Sequence, residues 1–290
     1  MTQAAERAIA RPVREGSSAL VEVTKKPSRL AELWRFRQLV LLLVSRELKV
    51  RYKRSFLGVL WTMLNPLLLM VVYAVVFTTI MPAALPNFAV FLLAGLLPWI
   101  YFSTALLQGL MSVLVNQELV RKVRVPQAVF PVSVVGSNLV NLALSLVPLF
   151  AMMLALRQPF TAALLFLPVG IVVLTLFTAG ATLFLASATV FFRDVRHLTE
   201  VLLQVVLYLS PILYDVAQLG VRDSWWFRLF RLELRLNPMT YLIPLFRDPV
   251  YYGRVPSLSV VGIACGCAVS MLVFGYGLFV RLEPRHIHHF

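Results

Sequence analysis

The stretch RELKVRYKRSFLGVLW, residues 46–61, sets five cations, Arg46, Lys49, Arg51, Lys53 and Arg54, against a run with no Asp, Glu, Lys or Arg from Ser55 to Gln117. Cations at that density bind anionic headgroups or phosphate oxyanions, at about 1 kcal/mol for each one near a charged membrane surface. A second charged group follows at Glu118, Arg121, Lys122 and Arg124, with Pro126 just beyond it. A third group is aromatic: Tyr73, Phe77, Trp99, Tyr101, Tyr208, Tyr214 and Tyr241, accompanied by Gln204. The apolar face of a pyranose stacks on such rings while its hydroxyls stay wet, which permits sliding without tight binding. Single aromatics near the ends of apolar helices also serve as ordinary membrane-interface anchors.

Groups that make and break bonds have no comparable pattern. The chain has no paired carboxylates within a span, no GxSxG, no HExxH and no Cys/His cluster at metal spacing, so neither a catalytic nor a metal site is expected. Cys265 and Cys267 lie two apart on different faces of any helix, which suits neither a disulfide framework nor a CxxC site. Glu200, close to Arg193, Arg196 and His197, reads as a paired carboxylate at the membrane boundary rather than a proton relay. The three histidines of the terminal RHIHHF lie on a stretch expected to fray and are read as incidental.

The elements that must position these residues follow from composition. With 60% hydrophobic and 14% charged residues and a mean hydropathy of +0.83, the chain is far from a soluble globular domain and reads as a membrane protein. Its net charge of +14 therefore points to lipid surfaces and partner proteins rather than nucleic acid. The first 28 residues are polar, with no signal-peptide core, and are expected to form a disordered cytoplasmic tail. Residues 29–56 are helix-prone, too charged to cross, and apolar along Leu33, Phe36, Val40, Leu43 and Val44, which predicts an amphipathic basic helix along the cytoplasmic face.

A helix needs about 20 mostly apolar residues to cross the hydrocarbon core. Six stretches qualify: 57–80, 88–114, 131–156, 161–190, 198–214 and 257–281, the fifth short and stopped near Ser210-Pro211. The expected fold is an all-α polytopic membrane protein of six transmembrane helices spanning 57–281. Thirteen Lys/Arg, from Arg7 to Arg54, precede the first span, whereas the loop MPAALPN after it has none. Short cytoplasmic loops retain Lys and Arg, so both termini, including the tail 282–290, are expected in the cytoplasm. Residues 215–256 fall outside by parity yet hold six arginines. Their two amphipathic pieces, DSWWFRLFRLELRL and NPMTYLIPLFRDPVYYG, are too short or interrupted to cross, and predict a re-entrant or interfacial helix pair. Asn237-Pro238 marks a helix start for the second piece. Small residues promise close packing at Gly262, Gly266 and Ser270, and interhelical hydrogen bonds at Ser133, Ser137, Asn138, Asn141 and Ser145.

Three of these stretches, in this order and spacing, resemble the membrane subunits of type-2 ABC exporters that move polysaccharides, the O-antigen, capsule and teichoic acid permeases. They are RELKVRYKRSFLGVLWTMLNPLL (46–68), VRKVRVPQAVFPVS (120–133), and VFFRDVRHLTEVLLQVVLYLSPILY (190–214) followed by NPMTYLIPLFRDPVYYG. The resemblance implies a half-transporter in the cytoplasmic (inner) membrane, paired with a second copy of itself and seated on two ABC ATPase subunits. The substrate it implies is a lipid-linked glycan. ATP and Mg would be bound by the partner, and this chain has no GxxxxGK(S/T) phosphate loop of its own. By the same resemblance 116–130 is a coupling loop whose Glu118, Arg121, Lys122 and Arg124 face the ATPase, with Pro126 and Pro131 stiffening its exit. The collar cations are a second ATPase contact and a place for the lipid carrier to enter, and the aromatic set rings the channel. A drug or small-molecule exporter would share the architecture. A membrane-bound glycan-modifying enzyme would need more than the isolated Glu200 and Asp215.

Overall fold

The computed structural model describes residues 35–53, 86–122, 125–216 and 224–286, together with the isolated positions 58, 60, 61, 64, 67, 68, 71 and 72. The tail 1–28 and, apart from those isolated positions, the expected first span 57–80 with Tyr73 and Phe77 lie outside the described residues, as do Arg54 and Arg124.

Among the described residues, four helices are long and apolar enough to cross a membrane. They are α2 (Phe88–Gly109), α5 (Val129–Ala155), α6 (Leu167–Phe191, entered through a 3-10 turn at Ala162–Phe166) and α11 (Leu258–His286). At about 1.5 Å per residue each exceeds the ~30 Å of a hydrocarbon core. Pro98 and Pro148 sit inside α2 and α5, where neighbouring helices and polar side chains can satisfy the carbonyls they release. The chain is thus a multi-pass membrane protein.

Three of the expected spans have boundaries that differ by up to five residues, the fifth running over 195–209 rather than 198–214. The second span ends at Gly109 rather than 114, because the Ser112 hydroxyl donates to the Gly109 carbonyl at 2.6 Å and the chain turns into the short helices α3 (Ser112–Val115) and α4 (Gln117–Lys122). The last span continues from 281 to His286, since charged residues bar a helix from hydrocarbon without ending it. The expected fifth span is α7 (Val195–Leu209), whose 15 residues span only about 22 Å. It stops at Ser210-Pro211, as the proline dictates.

After α7 the chain forms α8 (Trp225–Leu236), α9 (Met239–Leu242), α10 (Pro244–Arg247) and a π turn over Asp248–Tyr252 that Gly253 closes with a φ of 64°. The Ser224 hydroxyl caps α8 by accepting from the Phe227 amide at 3.3 Å. Asn237 makes the corner that follows: its Oδ1 accepts from the Met239 amide at 2.9 Å, and its Nδ2 donates to Ser210 at 3.0 Å and Glu233 at 2.9 Å.

Helix α2 is the centre of the bundle, with Val90, Phe91, Leu92 and Ala105 sealed from solvent between α5, α6 and the α9–α10 segment. Helix α11 instead runs chiefly along α6. Their backbones meet at Gly180 and Gly275: a Cβ on Gly275 would collide with the Gly180 carbonyl, and one on Gly180 with the backbone of Met271 and Leu272. The close approach expected at Gly262 and Gly266 is therefore found elsewhere, and both of those glycines face open space. Helix α1 (Arg37–Tyr52) lies within the expected 29–56 stretch, of which 29–34 and 54–56 fall outside the described residues, and packs Leu43 with Phe36, Leu39 and Val40 against Val129 and Phe130 of α5. Leu41, Leu42 and Val50 point away, exposed.

Contacts between helix ends show the alternation of the described spans. Asn87 donates to Gln158 at 2.9 Å, Gln158 to the Tyr251 carbonyl at 2.7 Å, and Tyr251 to the Pro86 carbonyl at 2.6 Å, closing one end of the bundle. The opposite end gathers α3, α4, the α6–α7 junction and the end of α11, tied by Gln127, Ser187, Glu283 and His286.

Candidate functional site

The collar cations divide into two sets. Lys49 and Lys53 are exposed, with no side-chain hydrogen bond to the bundle among the described residues, and Arg46 is exposed as well. Arg46 and Arg51 turn toward the bundle, because α1 lies across the ends of α2 and α5. Arg46 donates to Asn116 at 3.3 Å. Arg51 reaches further, donating to Gln108 at 2.6 Å and to Asn138 at 3.5 Å. Asn138 in turn donates to Gln108 at 2.9 Å, Asn141 to Asn138 at 3.4 Å, and Tyr52 to Asn141 at 2.7 Å. Polar residues spaced along α5 thus meet two residues of the collar and Gln108 of α2. Ser133, Ser137 and Ser145 each donate to a carbonyl of their own helix.

The loop group stands beside the collar. On α4 the residues Glu118, Arg121 and Lys122 are exposed, while Leu119 and Val120 pack with Leu43 and Phe130. Glu118 and Lys122 approach to 3.9 Å in water, a pair of little energetic weight. A cleft of about 360 Å³ lies between Arg46 and the segment from Val115 to Lys122. Pro126 is half-buried at the loop exit, where Gln127 is drawn inside by α11. One charged rim therefore carries Arg46, Lys49, Glu118, Arg121 and Lys122.

The aromatic set is dispersed. Trp99 and Tyr101 are buried in the bundle, Trp99 against Phe102 at 5.8 Å between ring centres and Tyr101 donating to Thr175 at 3.2 Å. Tyr214 donates to the Leu209 carbonyl at 2.5 Å and Tyr241 to the Arg235 carbonyl at 3.1 Å. Gln204 and Tyr208, one turn apart on α7, are exposed, together with Val201 and Val205. Glu200 on the same helix pairs with Arg196 at 3.1 Å and His197 at 3.3 Å.

Three residues matter here that the sequence did not single out. Arg247, treated above as one of six loop arginines, is buried at 6% exposure. Its guanidinium donates to the Pro211 and Ile212 carbonyls at 2.5 and 2.7 Å, lies 3.8 Å from the centre of the Phe91 ring, and occupies the space a Cβ on Gly95 would need. Burial pulls its pKa down to about 10, against the pull of Tyr252, Asp215 and Asp248, so it stays cationic at neutral pH. Burial likewise raises Asp248, opposed by its ion pair with Arg254 at 3.4 Å. The signal for Arg247 was the broken helix at Ser210-Pro211: carbonyls freed inside a membrane protein require a donor. Gln127 is the second, and a buried glutamine next to Pro126 gave no warning in the sequence; the third is His286, which, contrary to its reading as incidental on a fraying stretch, is helical and fully buried. Among the described residues no group of three His, Cys, Asp or Glu could hold a metal ion.

Comparison with known proteins bears on this arrangement. The family model for ABC-2 type transporters matches residues 38–251. The chain is similar to an O-antigen export system permease protein RfbA of Myxococcus xanthus, 37% identical over 248 residues that cover 86% of this chain and 94% of the relative. It is also similar to two proteins of that name from Klebsiella pneumoniae. One is 28% identical over 249 residues, the other 26% over 248, each covering 85% of this chain and 93% of the relative.

Proposed function

The chain belongs to the ABC-2 type transporter family, and on that premise we propose that it is the permease subunit of an ATP-driven exporter of a lipid-linked polysaccharide. The observation that carries this reading is the 37% identity to an O-antigen export permease over 94% of that relative's length. Two copies pair in the cytoplasmic membrane with both termini inside, each bearing six spans: the four described crossing helices, α7, and the stretch 57–80. Residues 215–256 form a re-entrant pair on the outer side, with Trp225 and Trp226 at the headgroup level. No observation favours a small-molecule exporter or a glycan-modifying enzyme.

In this reading the rim of Glu118, Arg121, Lys122 and Arg124 seats on a separate ATPase that binds ATP and Mg, and Pro126 stiffens the link to α5. The collar of Arg46, Lys49, Arg51, Lys53 and Arg54 meets the ATPase on one side and anionic headgroups, including the carrier's phosphates, on the other. Closure of the ATPase pair pushes both elements, and the Arg51–Gln108–Asn138 contacts carry the push from collar to spans. The glycan slides between the two copies, where exposed Gln204 and Tyr208 supply a hydrogen-bonding and a stacking surface. Tyr73, Phe77, Trp99, Tyr101, Tyr214 and Tyr241 complete the channel set by family resemblance.

The test is deletion of the gene followed by analysis of surface and intracellular glycans, with an affinity-tagged copy used to recover partners. The reading expects loss of a surface polysaccharide, its lipid-linked form retained inside the cell, and co-purification of an ABC ATPase. Unchanged surface glycans, or a tagged chain that brings down no ATPase, would contradict it.

A further inference from the structure

A closed cluster of buried polar side chains lies where the loop exit, the end of α6 and the end of α11 meet. Gln127, next to Pro126 at the exit of the 116–130 loop, is only 3% exposed, and its backbone amide and both side-chain polar atoms are taken by the end of α11. Its backbone amide donates to Glu283 Oε1 at 2.8 Å and its Nε2 to the Glu283 carbonyl at 3.5 Å, while its Oε1 lies 2.8 Å from His286 Nδ1. An amide oxygen only accepts, so Nδ1 carries the proton and Nε2 is free to accept from the Ser187 hydroxyl, 2.9 Å away on α6. His286 and Ser187 are both sealed from solvent. The imidazole is held in place by Phe279 and Phe191, whose ring centres are 5.4 and 5.5 Å from its own. Breaking either hydrogen bond strands a buried polar atom, which costs far more than the bond contributes when made, so the cluster favours being fully closed or fully open.

Geometry gives the cluster a job. The loop exit, the end of α6 and the end of α11 all converge on one ring. About two turns further in along α6 and three along α11, the two helices cross with their backbones in contact at Gly180 and Gly275. Displacement of the loop exit is therefore delivered to both helices at once, and to a crossing that has no side chain to absorb it.

We propose that His286 is a positioning residue that latches the exit of the 116–130 loop to α6 and α11, so that movement of the loop is converted into movement of this helix pair. The transport role of the latch rests on the reading of 116–130 as the contact with the ATPase. The physical latch does not, and the two are separable by experiment. His286→Phe keeps a ring between Phe279 and Phe191 and removes both hydrogen bonds; His286→Asn retains a donor toward Gln127.

On the purified full chain, hydrogen exchange over residues 117–128 reads the latch directly. His286→Phe is expected to accelerate exchange there several-fold and His286→Asn to restore part of the protection; unchanged exchange in His286→Phe overturns the latch. In the reconstituted complex with its ATPase, His286→Phe is expected to assemble and hydrolyse ATP while exporting several-fold less glycan per ATP. An unchanged ratio of export to hydrolysis, with only the yield of folded protein reduced, overturns the transport role. Should His286→Phe not fold, Ser187→Ala, which removes one bond and little volume, is expected to shift the same two readouts in the same direction, and no shift in either counts against the proposal. If the wild-type chain recruits no ATPase, the functional reading fails while the exchange result still decides the latch.

Discussion

Arg247 lies with its guanidinium carbon 3.8 Å above the centre of the Phe91 ring, and from there its two terminal nitrogens reach the carbonyls of Pro211 and Ile212. One side chain thus joins the non-crossing segment α10 to the central helix α2 and to the broken end of α7. The fixed fork of a guanidinium suits two adjacent carbonyls and an aromatic face together; a lysine ammonium suits only one of them at a time. Arg247→Ala is expected to lower stability by about 3 kcal/mol or more, from two charge-assisted hydrogen bonds and a desolvated cation–π contact. Arg247→Lys is expected to recover less than half of that. Thermal unfolding of the detergent-solubilised chain, followed by size exclusion, measures both.

The crossing of α6 and α11 makes a contrasting pair of predictions. Gly275→Ala forces a methyl into the Gly180 carbonyl and is expected to cost about 1–3 kcal/mol by overpacking. Gly262→Ala and Gly266→Ala put the same methyl into open space and are expected to leave the melting temperature unchanged or slightly raised. Equal effects at all three positions would show that the helices cross somewhere other than Gly180 and Gly275.

The network of Arg51 with Gln108 and Asn138 predicts that the collar is fixed to the bundle rather than resting on lipid alone. Interhelical hydrogen bonds in membranes contribute about 0.6 kcal/mol on average and at most about 2. A double-mutant cycle of Arg51→Ala with Gln108→Leu is therefore expected to show a coupling energy within that range. Maleimide labelling of a cysteine at Leu43, buried against Val129 and Phe130, is expected to quicken in Arg51→Ala. A coupling energy of zero would leave the collar attached by its apolar face only.

Loss of export without loss of assembly is the expectation for the collar as a landing site for the carrier. Replacing Arg51, Lys53 and Arg54 together by neutral residues is expected to reduce glycan export, read as surface polysaccharide per copy of assembled transporter. Normal export by an intact triple variant would remove that role.

Much of the fold was legible because length and hydropathy govern crossing: α5 begins and ends within two residues of expectation, as does α6 once its 3-10 entry from Ala162 is counted, and α7 stops at Ser210-Pro211. The site was legible only as groups of like residues. Cations before an apolar run announce a boundary, but whether a given arginine meets water or a neighbouring amide depends on which helix lies across it; Lys49 and Arg51, two positions apart, have opposite fates. Arg247 and His286 were hidden for the same reason. Each sits among charged or terminal residues that normally face water, and each is buried because it satisfies groups from distant segments, Pro211 and Ile212 in one case and Gln127 and Ser187 in the other. Gly262 and Gly266 erred the opposite way, since a small-residue spacing shows where a helix can be approached and not whether another helix does so.

The central claim is that this chain is a membrane conduit driven by a separate ATPase. Its most direct measurement is ATP hydrolysis and glycan translocation in sealed vesicles, comparing the purified chain with its complex with the partner ATPase, both supplied with a lipid-linked glycan on the cytoplasmic side. The account predicts that the chain alone does neither, and that the complex hydrolyses ATP and delivers glycan to the far side only while ATP lasts. Hydrolysis by the isolated chain, or equal translocation with and without the ATPase, would contradict it.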